Sequence, residues 1–109
     1  MGALKNNSNI LHFGNMQVYA DTFQIIINGR AIKFTPIEYS LLMFFCKFNE
    51  QHFSRKQLLH QVWKKDKMIL DRTVDSTIAS LRRKTKDWDF KIKSIYGVGY
   101  RLNKKSTPC

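Results

Sequence analysis

Acid is scarce in this chain. Eight Asp and Glu stand against nineteen Lys and Arg, a formal net charge of +11. A surplus of that size selects polyanionic partners, nucleic acid before a membrane surface. Cysteine is nearly absent, and two residues cannot build a disulfide framework. Cys46 lies in the apolar run 41–46 and Cys109 is the last residue, a pattern expected in a reducing compartment, the cytoplasm. No apolar run approaches the ~18–20 residues of a membrane span. Residues 1–9 carry one lysine and no apolar stretch, so they make no signal peptide. Two prolines and five glycines leave no low-complexity block, and 43% hydrophobic residues exclude disorder of the whole chain. At 109 residues there is room for one compact domain and none for a multidomain enzyme.

Catalytic and metal signatures are missing too. His12, His52 and His60 have no zinc-type spacing with each other or with cysteine. No P-loop, dinucleotide-binding glycine set or nucleophile elbow occurs. The expectation is no catalytic residue, no metal and no cofactor.

The charge that is present is lopsided. Residues 1–50 hold four basic and three acidic groups, whereas residues 51–109 hold fifteen and five. The polyanion-facing elements therefore belong to the second half.

Residues 10–34 read as short strands. Leu11–Phe13 and Met16–Tyr19 flank Gly14-Asn15, and Phe23–Ile27 and Arg30–Phe34 flank Asn28-Gly29. Asn-Gly is a strong hairpin signal because both central residues must accept positive φ. A four-stranded antiparallel meander follows. The period then becomes helical. Thr35-Pro36-Ile37-Glu38 is a capping box with proline at the first helical position, and Ser54-Arg55-Lys56-Gln57 is a second. The first helix presents Ile37, Leu41, Leu42, Phe44, Phe45 and Phe48 to a core and ends near Asn49. The second presents Leu58, Leu59, Val62 and Trp63. A charged connection, Lys64–Leu70, leads to a third helix capped by Asp71 and running from about Arg72 to Lys86. Strands return at Phe90–Ile95, turn at Gly97 and Gly99, and pair back through Tyr100-Arg101-Leu102. Trp63 and Trp88 read as packing residues.

On a wheel of the third helix, Val74, Ile78, Leu81 and Thr85 fall within an arc of about 60° and define an inner side. Arg72, Ser76, Ala79, Ser80 and Arg83 lie opposite. Small residues and hydroxyls let a helix approach base edges, and arginine reads guanine or clamps a phosphate. Thr73, at the amino end beside free backbone N–H groups, suits a phosphate. An ordinary solvated helix face is the alternative. The hairpin adds Lys91 and Lys93 on one strand face, opposite Ile92, with Tyr96 before the Gly97-Val98-Gly99 tip and Arg101 after it. A basic two-stranded projection beside such a helix can follow the backbone into the minor groove.

Four ordered motifs carry a resemblance. They are Phe34-Thr35-Pro36-Ile37-Glu38-Tyr39-Ser40-Leu41-Leu42, the segment from Ser54 to Trp63, Arg72-Thr73-Val74-Asp75 continuing to Leu81-Arg82-Arg83-Lys84, and Gly97 to Leu102. Together they resemble the OmpR/PhoB-type winged helix-turn-helix domain of bacterial response regulators, over about Ile10 to Asn103. The resemblance implies an α+β winged helix with an N-terminal four-stranded antiparallel sheet, three helices and a C-terminal β-hairpin wing. It implies a transcription regulator binding double-stranded DNA sequence-specifically, third helix in the major groove and wing in the minor groove. By position it carries over Arg72, Thr73, Ser76, Thr77, Ser80 and Arg82 on the helix, and Ser94 and Tyr96 in the wing. Arg83, Lys84, Lys91, Lys93 and Arg101 join them as candidate contacts. In some members the connection corresponding to Lys64, Lys65, Asp66, Lys67 and Met68 touches RNA polymerase, and members commonly bind tandem half-sites as head-to-tail pairs.

Departures from the pattern are Tyr96, where arginine is frequent, and Ala79 and Ser80, where basic residues are frequent. The expected organisation is a tail or linker at 1–9, the winged helix at 10–103 and a C-terminal tail at 104–109. The receiver domain of such regulators, roughly 120 residues, has no room here. The chain is then either the effector part of a longer protein or a stand-alone regulator. Two other readings stay open: a winged helix docking on a protein through Lys64–Leu70, and an RNA-associated basic domain. Operator, regulated genes, input signal, and activation or repression are not written in these residues.

Overall fold

The computed structural model describes residues 10–64 and 69–105. The expected tail at 1–9, the end of the chain from 106, and Lys65, Asp66, Lys67 and Met68 lie outside the described residues.

Strands β1 (Ile10–Phe13), β2 (Met16–Tyr19), β3 (Gln24–Ile27) and β4 (Arg30–Ile32) form an antiparallel meander in that order. Asn28 and Gly29 have φ of 51° and 79°, the double positive turn that the dipeptide predicts. Register aligns Met16 with Ile27 and Val18 with Ile25. These four are fully buried and form the sheet's inner layer.

Helix α1 (Pro36–Lys47) begins as predicted. The Glu38 amide donates to Thr35 Oγ1 at 3.2 Å and the Thr35 amide donates to Glu38 Oε1 at 2.9 Å. Its inner side contributes Leu41, Leu42, Phe45 and Cys46 to the core, and burial pushes the Cys46 thiol up to about 12. Helix α2 (Arg55–Leu58) starts on the Ser54–Gln57 box and widens into a π-helical turn, Leu59–Trp63. Only Leu58 of its expected inner face is fully covered; Leu59, Val62 and Trp63 pack partly against the core.

Helix α3 (Asp71–Lys84) is shifted from the expected range at both ends. Asp71 is not the cap. Leu70 holds the N-cap position in extended conformation, and Asp71 is the first helical residue, where its charge suits the positive end of the helix dipole. At the other end Thr85 leaves helical geometry, and its buried hydroxyl donates to the Leu81 carbonyl at 2.7 Å, closing the last turn.

Strands β6 (Phe90–Ile95) and β7 (Gly99–Lys104) make the hairpin, pairing Ile95 with Gly99 through Phe90 with Lys104. Lys104 therefore belongs to the strand rather than to a tail. The sequence pattern missed β5 (His52–Phe53), which pairs with β7 and makes a three-stranded sheet in the order β5-β7-β6. Trp88 seals the join between the two sheets. It is buried, and its indole N–H donates to the Phe13 carbonyl at 2.8 Å. Beside it the Asn15 side chain donates to the Asp87 carbonyl and accepts from the Asp89 amide, both at 2.8 Å.

Candidate nucleic-acid interface

The orientation of α3 follows from burial. Val74, Ile78 and Leu81 are each 0% exposed, and burying such side chains contributes about 1.5–3 kcal/mol apiece. Rolling the helix would forfeit most of that. The predicted inner side is therefore correct, and Arg72, Ser76, Ala79 and Arg83 stand exposed on the other. Thr73 and Thr77 are half-buried at its margin. The Ser76 hydroxyl donates to the Arg72 carbonyl at 3.1 Å and the Thr77 hydroxyl to the Thr73 carbonyl at 2.9 Å. Each hydroxyl thus spends its proton on its own helix and turns an acceptor outward. Leu70 offers no side-chain oxygen to the first-turn amides, and of these the Thr73 amide donates to the Leu70 carbonyl at 2.9 Å.

Two of the candidate contact residues, Ser80 and Lys84, are engaged within the protein. The half-buried Ser80 donates its hydroxyl proton to Glu38 Oε2, and Lys84 Nζ sits 2.6 Å from Glu38 Oε1 and over the Phe34 ring. Glu38 is 5% exposed, and a carboxylate at that depth needs several donors. Ser80 and Lys84, one turn apart on α3, supply them. Burial raises the Glu38 carboxyl, but bonds from Lys84, Ser80 and the Thr35 amide outweigh it and hold it below the ordinary 4.5. The stabilisation is complete above that value and is lost as pH falls through the lowered folded one. Glu38→Gln should cost about 1–3 kcal/mol at pH 7 and flatten the loss of stability on acidification below pH 4.5. Urea unfolding at pH 7 and pH 3 checks both. Parallel pH profiles in the two proteins would exclude the carboxylate.

Arg82 is also committed within the protein. Its Nε donates to the Ile92 carbonyl at 2.9 Å, a terminal nitrogen donates to Ser94 Oγ at 2.8 Å, and the guanidinium lies 5.5 Å from the Tyr100 ring centre. Ser94, expected to face a duplex, is exposed and accepts this bond from α3. Tyr100 and Asp75 extend the network. The Tyr100 hydroxyl donates to Asp75 Oδ1 at 2.5 Å, and Arg55 pairs with the same carboxylate at 3.0 Å. Burial first, then Asp75, pushes the Tyr100 hydroxyl up, so it stays a donor.

Strand alternation sorts the rest of the hairpin. Ile92, Ser94 and Tyr100 share the face turned to α3. Lys91 and Lys93 stand on the opposite face across from Asn103 and Arg101, and the half-buried Arg101 donates to Asn103 Oδ1 at 2.8 Å. Tyr96 is fully exposed at the tip. There the Val98 amide donates to the Ile95 carbonyl at 2.9 Å, and Gly97 takes a φ of 75°.

Glu38, Arg55, Asp75 and Tyr100 were not among the expected site residues. One signal was available. In a chain with so few acids, an acid on the flank of an amphipathic helix has many cations competing for it. Among the described residues no three His, Cys, Asp or Glu gather as a metal site, and no helix is long and apolar enough to cross a membrane.

The profile of the family described as "Transcriptional regulatory protein, C terminal" matches residues 29–102. The transcriptional regulatory protein BaeR of Escherichia coli O6:H1 is 39% identical over 82 residues, 72% of this chain and 34% of that protein. The DNA-binding domain of Bacillus subtilis CssR is 35% identical with a TM-score of 0.72, covering 80% of this chain and 98% of that one. The DNA-binding domain of the response regulator AdeR, solved in complex with an intercistronic region, is 27% identical with a TM-score of 0.73, covering 86% and 98%. The chain spans 34 to 42% of the length of the curated relatives it matches.

Proposed function

The chain belongs to the OmpR/PhoB-type family of winged helix-turn-helix effector domains, and on that premise we propose that it binds double-stranded DNA sequence-specifically and regulates transcription from the cytoplasm. The supporting observation is the exposed side of α3, where Arg72, Ser76, Ala79 and Arg83 share one face beside a hairpin tip carrying the fully exposed Tyr96. A helix with that face fits the major groove, and the tip fits the adjoining minor groove. Within this proposal the Arg72 side chain, the Thr73 side chain and the Asp71 and Arg72 amides at the start of α3 take phosphate. Arg83 reads a base. Ser76, with its proton already donated, accepts from the amino group of adenine or cytosine. Lys91 and Lys93 act from the outer face of the wing as longer-range attraction. A second copy, head-to-tail on tandem half-sites, and RNA polymerase at the connection 64–70 belong to the same proposal. No catalytic residue enters it.

Selection of bound duplexes from a random pool tests the proposal by returning a motif and a half-site spacing. Equal retention of all sequences, or preference for structured RNA of the same length, would overturn it. On the selected duplex Arg83→Ala is expected to cost about 1–3 kcal/mol and to relax preference at one base position. A loss spread evenly over unrelated duplexes would move Arg83 to phosphate.

A further inference from the structure

We propose that Arg82 is a positioning residue, a strut that fixes the wing at one angle to α3 so that both enter a duplex as a single rigid body. The inference rests on the DNA-binding reading above, but it stands on contacts present without DNA.

One planar guanidinium grips the hairpin at two points, the Ile92 carbonyl at 2.9 Å and Ser94 Oγ at 2.8 Å, and covers the Tyr100 ring. Tyr100 lies directly across from Ser94 in the register. Its hydroxyl returns to α3 at Asp75, 2.5 Å away, and Arg55 of α2 anchors Asp75 in turn. A closed loop results, from α3 to β7, across the hairpin to β6, and back to α3. Asp75 and Arg82 are two turns apart, about 10.5 Å along the helix axis. A single attachment leaves a hinge; two attachments separated by that distance define an angle. Both grip the hairpin at the Ser94–Tyr100 rung, just before the turn that carries Tyr96. Only the fork of arginine makes two directed bonds of this kind, so lysine is no substitute.

The roles of strut and phosphate clamp separate experimentally. On the selected duplex, Arg82→Met and Arg82→Lys should each lose ~10-fold in affinity, because the wing must then be ordered at the moment of binding. The slope of log K against log salt should not change. Wild-type affinity in Arg82→Lys, with a slope shallower by about 0.9 in Arg82→Met, overturns the proposal in favour of a phosphate contact.

A second measurement needs no DNA. Spin labels placed through Val98→Cys at the tip and Ser40→Cys on α1, in a Cys109→Ser background, report the wing-to-body distance. Cys46 is buried and stays unlabelled. A narrow distance distribution should broaden in Arg82→Met. It should broaden likewise in Tyr100→Phe, which removes the Asp75 anchor without changing charge. An unchanged distribution overturns the strut even if the parent chain binds DNA, and a broadened one supports it even if no duplex is bound.

Discussion

Raising monovalent salt from about 50 to about 200 mM is expected to weaken duplex binding about 500-fold, on a slope of log K against log salt near −4.5. The formal charge of +11 invites a steeper figure, but the structure removes several cations from the count. Lys84 is paired with Glu38 and Arg55 with Asp75. Arg82 spends two donors on the wing, and Lys91 and Lys93 project from the face turned away from α3. The proposed interface, centred on Arg72, Arg83 and the amino end of α3, is then expected to neutralise about five phosphates. Fluorescence anisotropy over a salt series reads the slope directly. A value flatter than about −2 would mean that phosphate is not the main attraction. A value steeper than about −8 would mean that the far face of the wing also lies against DNA.

Gly99→Ala is expected to destabilise the fold by about 2–4 kcal/mol, the sum of an overpacked contact and a strained backbone. A Cβ at this position would fall inside the contact radius of the Phe53 carbonyl oxygen, and Gly99 has a φ of +150°. Little there can give way. Phe53 belongs to β5, pairs with Tyr100, and has its ring 4.8 Å from Phe44 and 5.9 Å from Phe48. Relief therefore requires lifting β5 off β7 and disturbing an aromatic cluster on α1. Gly97→Ala is the control, since Gly97 also has positive φ but open space around it, and it should cost only about 1 kcal/mol. Urea midpoints of the two variants decide the matter. Equal losses would mean that backbone strain alone, and not the approach of β5, makes glycine necessary at position 99.

What was legible in the sequence was local. Asn28-Gly29, the two capping boxes and the spacing of Val74, Ile78 and Leu81 each act within one turn of chain, and the structure follows them closely. The connections that assemble the interface were not legible, because they join residues far apart in sequence through long side chains. Arg82 meets Ser94, Tyr100 meets Asp75, and Lys84 meets Glu38 across separations of 12, 25 and 46 residues. A wheel could place Ser80 opposite Val74 but could not know that a buried carboxylate of α1 waited at the edge of that face. Strand β5 escaped for a different reason. Two residues cannot display an alternation, and their pairing depends on the missing side chain of Gly99. The one-residue shift of the α3 start reflects a preference overridden, since Asp71 is a good cap residue but stands as the first helical residue, where its charge still suits the helix dipole.

The bond from the Trp88 indole to the Phe13 carbonyl bears on where this unit can be cut. The family profile begins at residue 29, yet β1 to β3 lie before it and supply the acceptor for Trp88 together with Met16, Val18, Ile25 and Ile27 of the core. A chain trimmed to the profile would keep every residue proposed to touch DNA and would lose the floor beneath them. Trimming to the profile is therefore expected to destabilise the fold, because the family signature is narrower than the packing on which it rests.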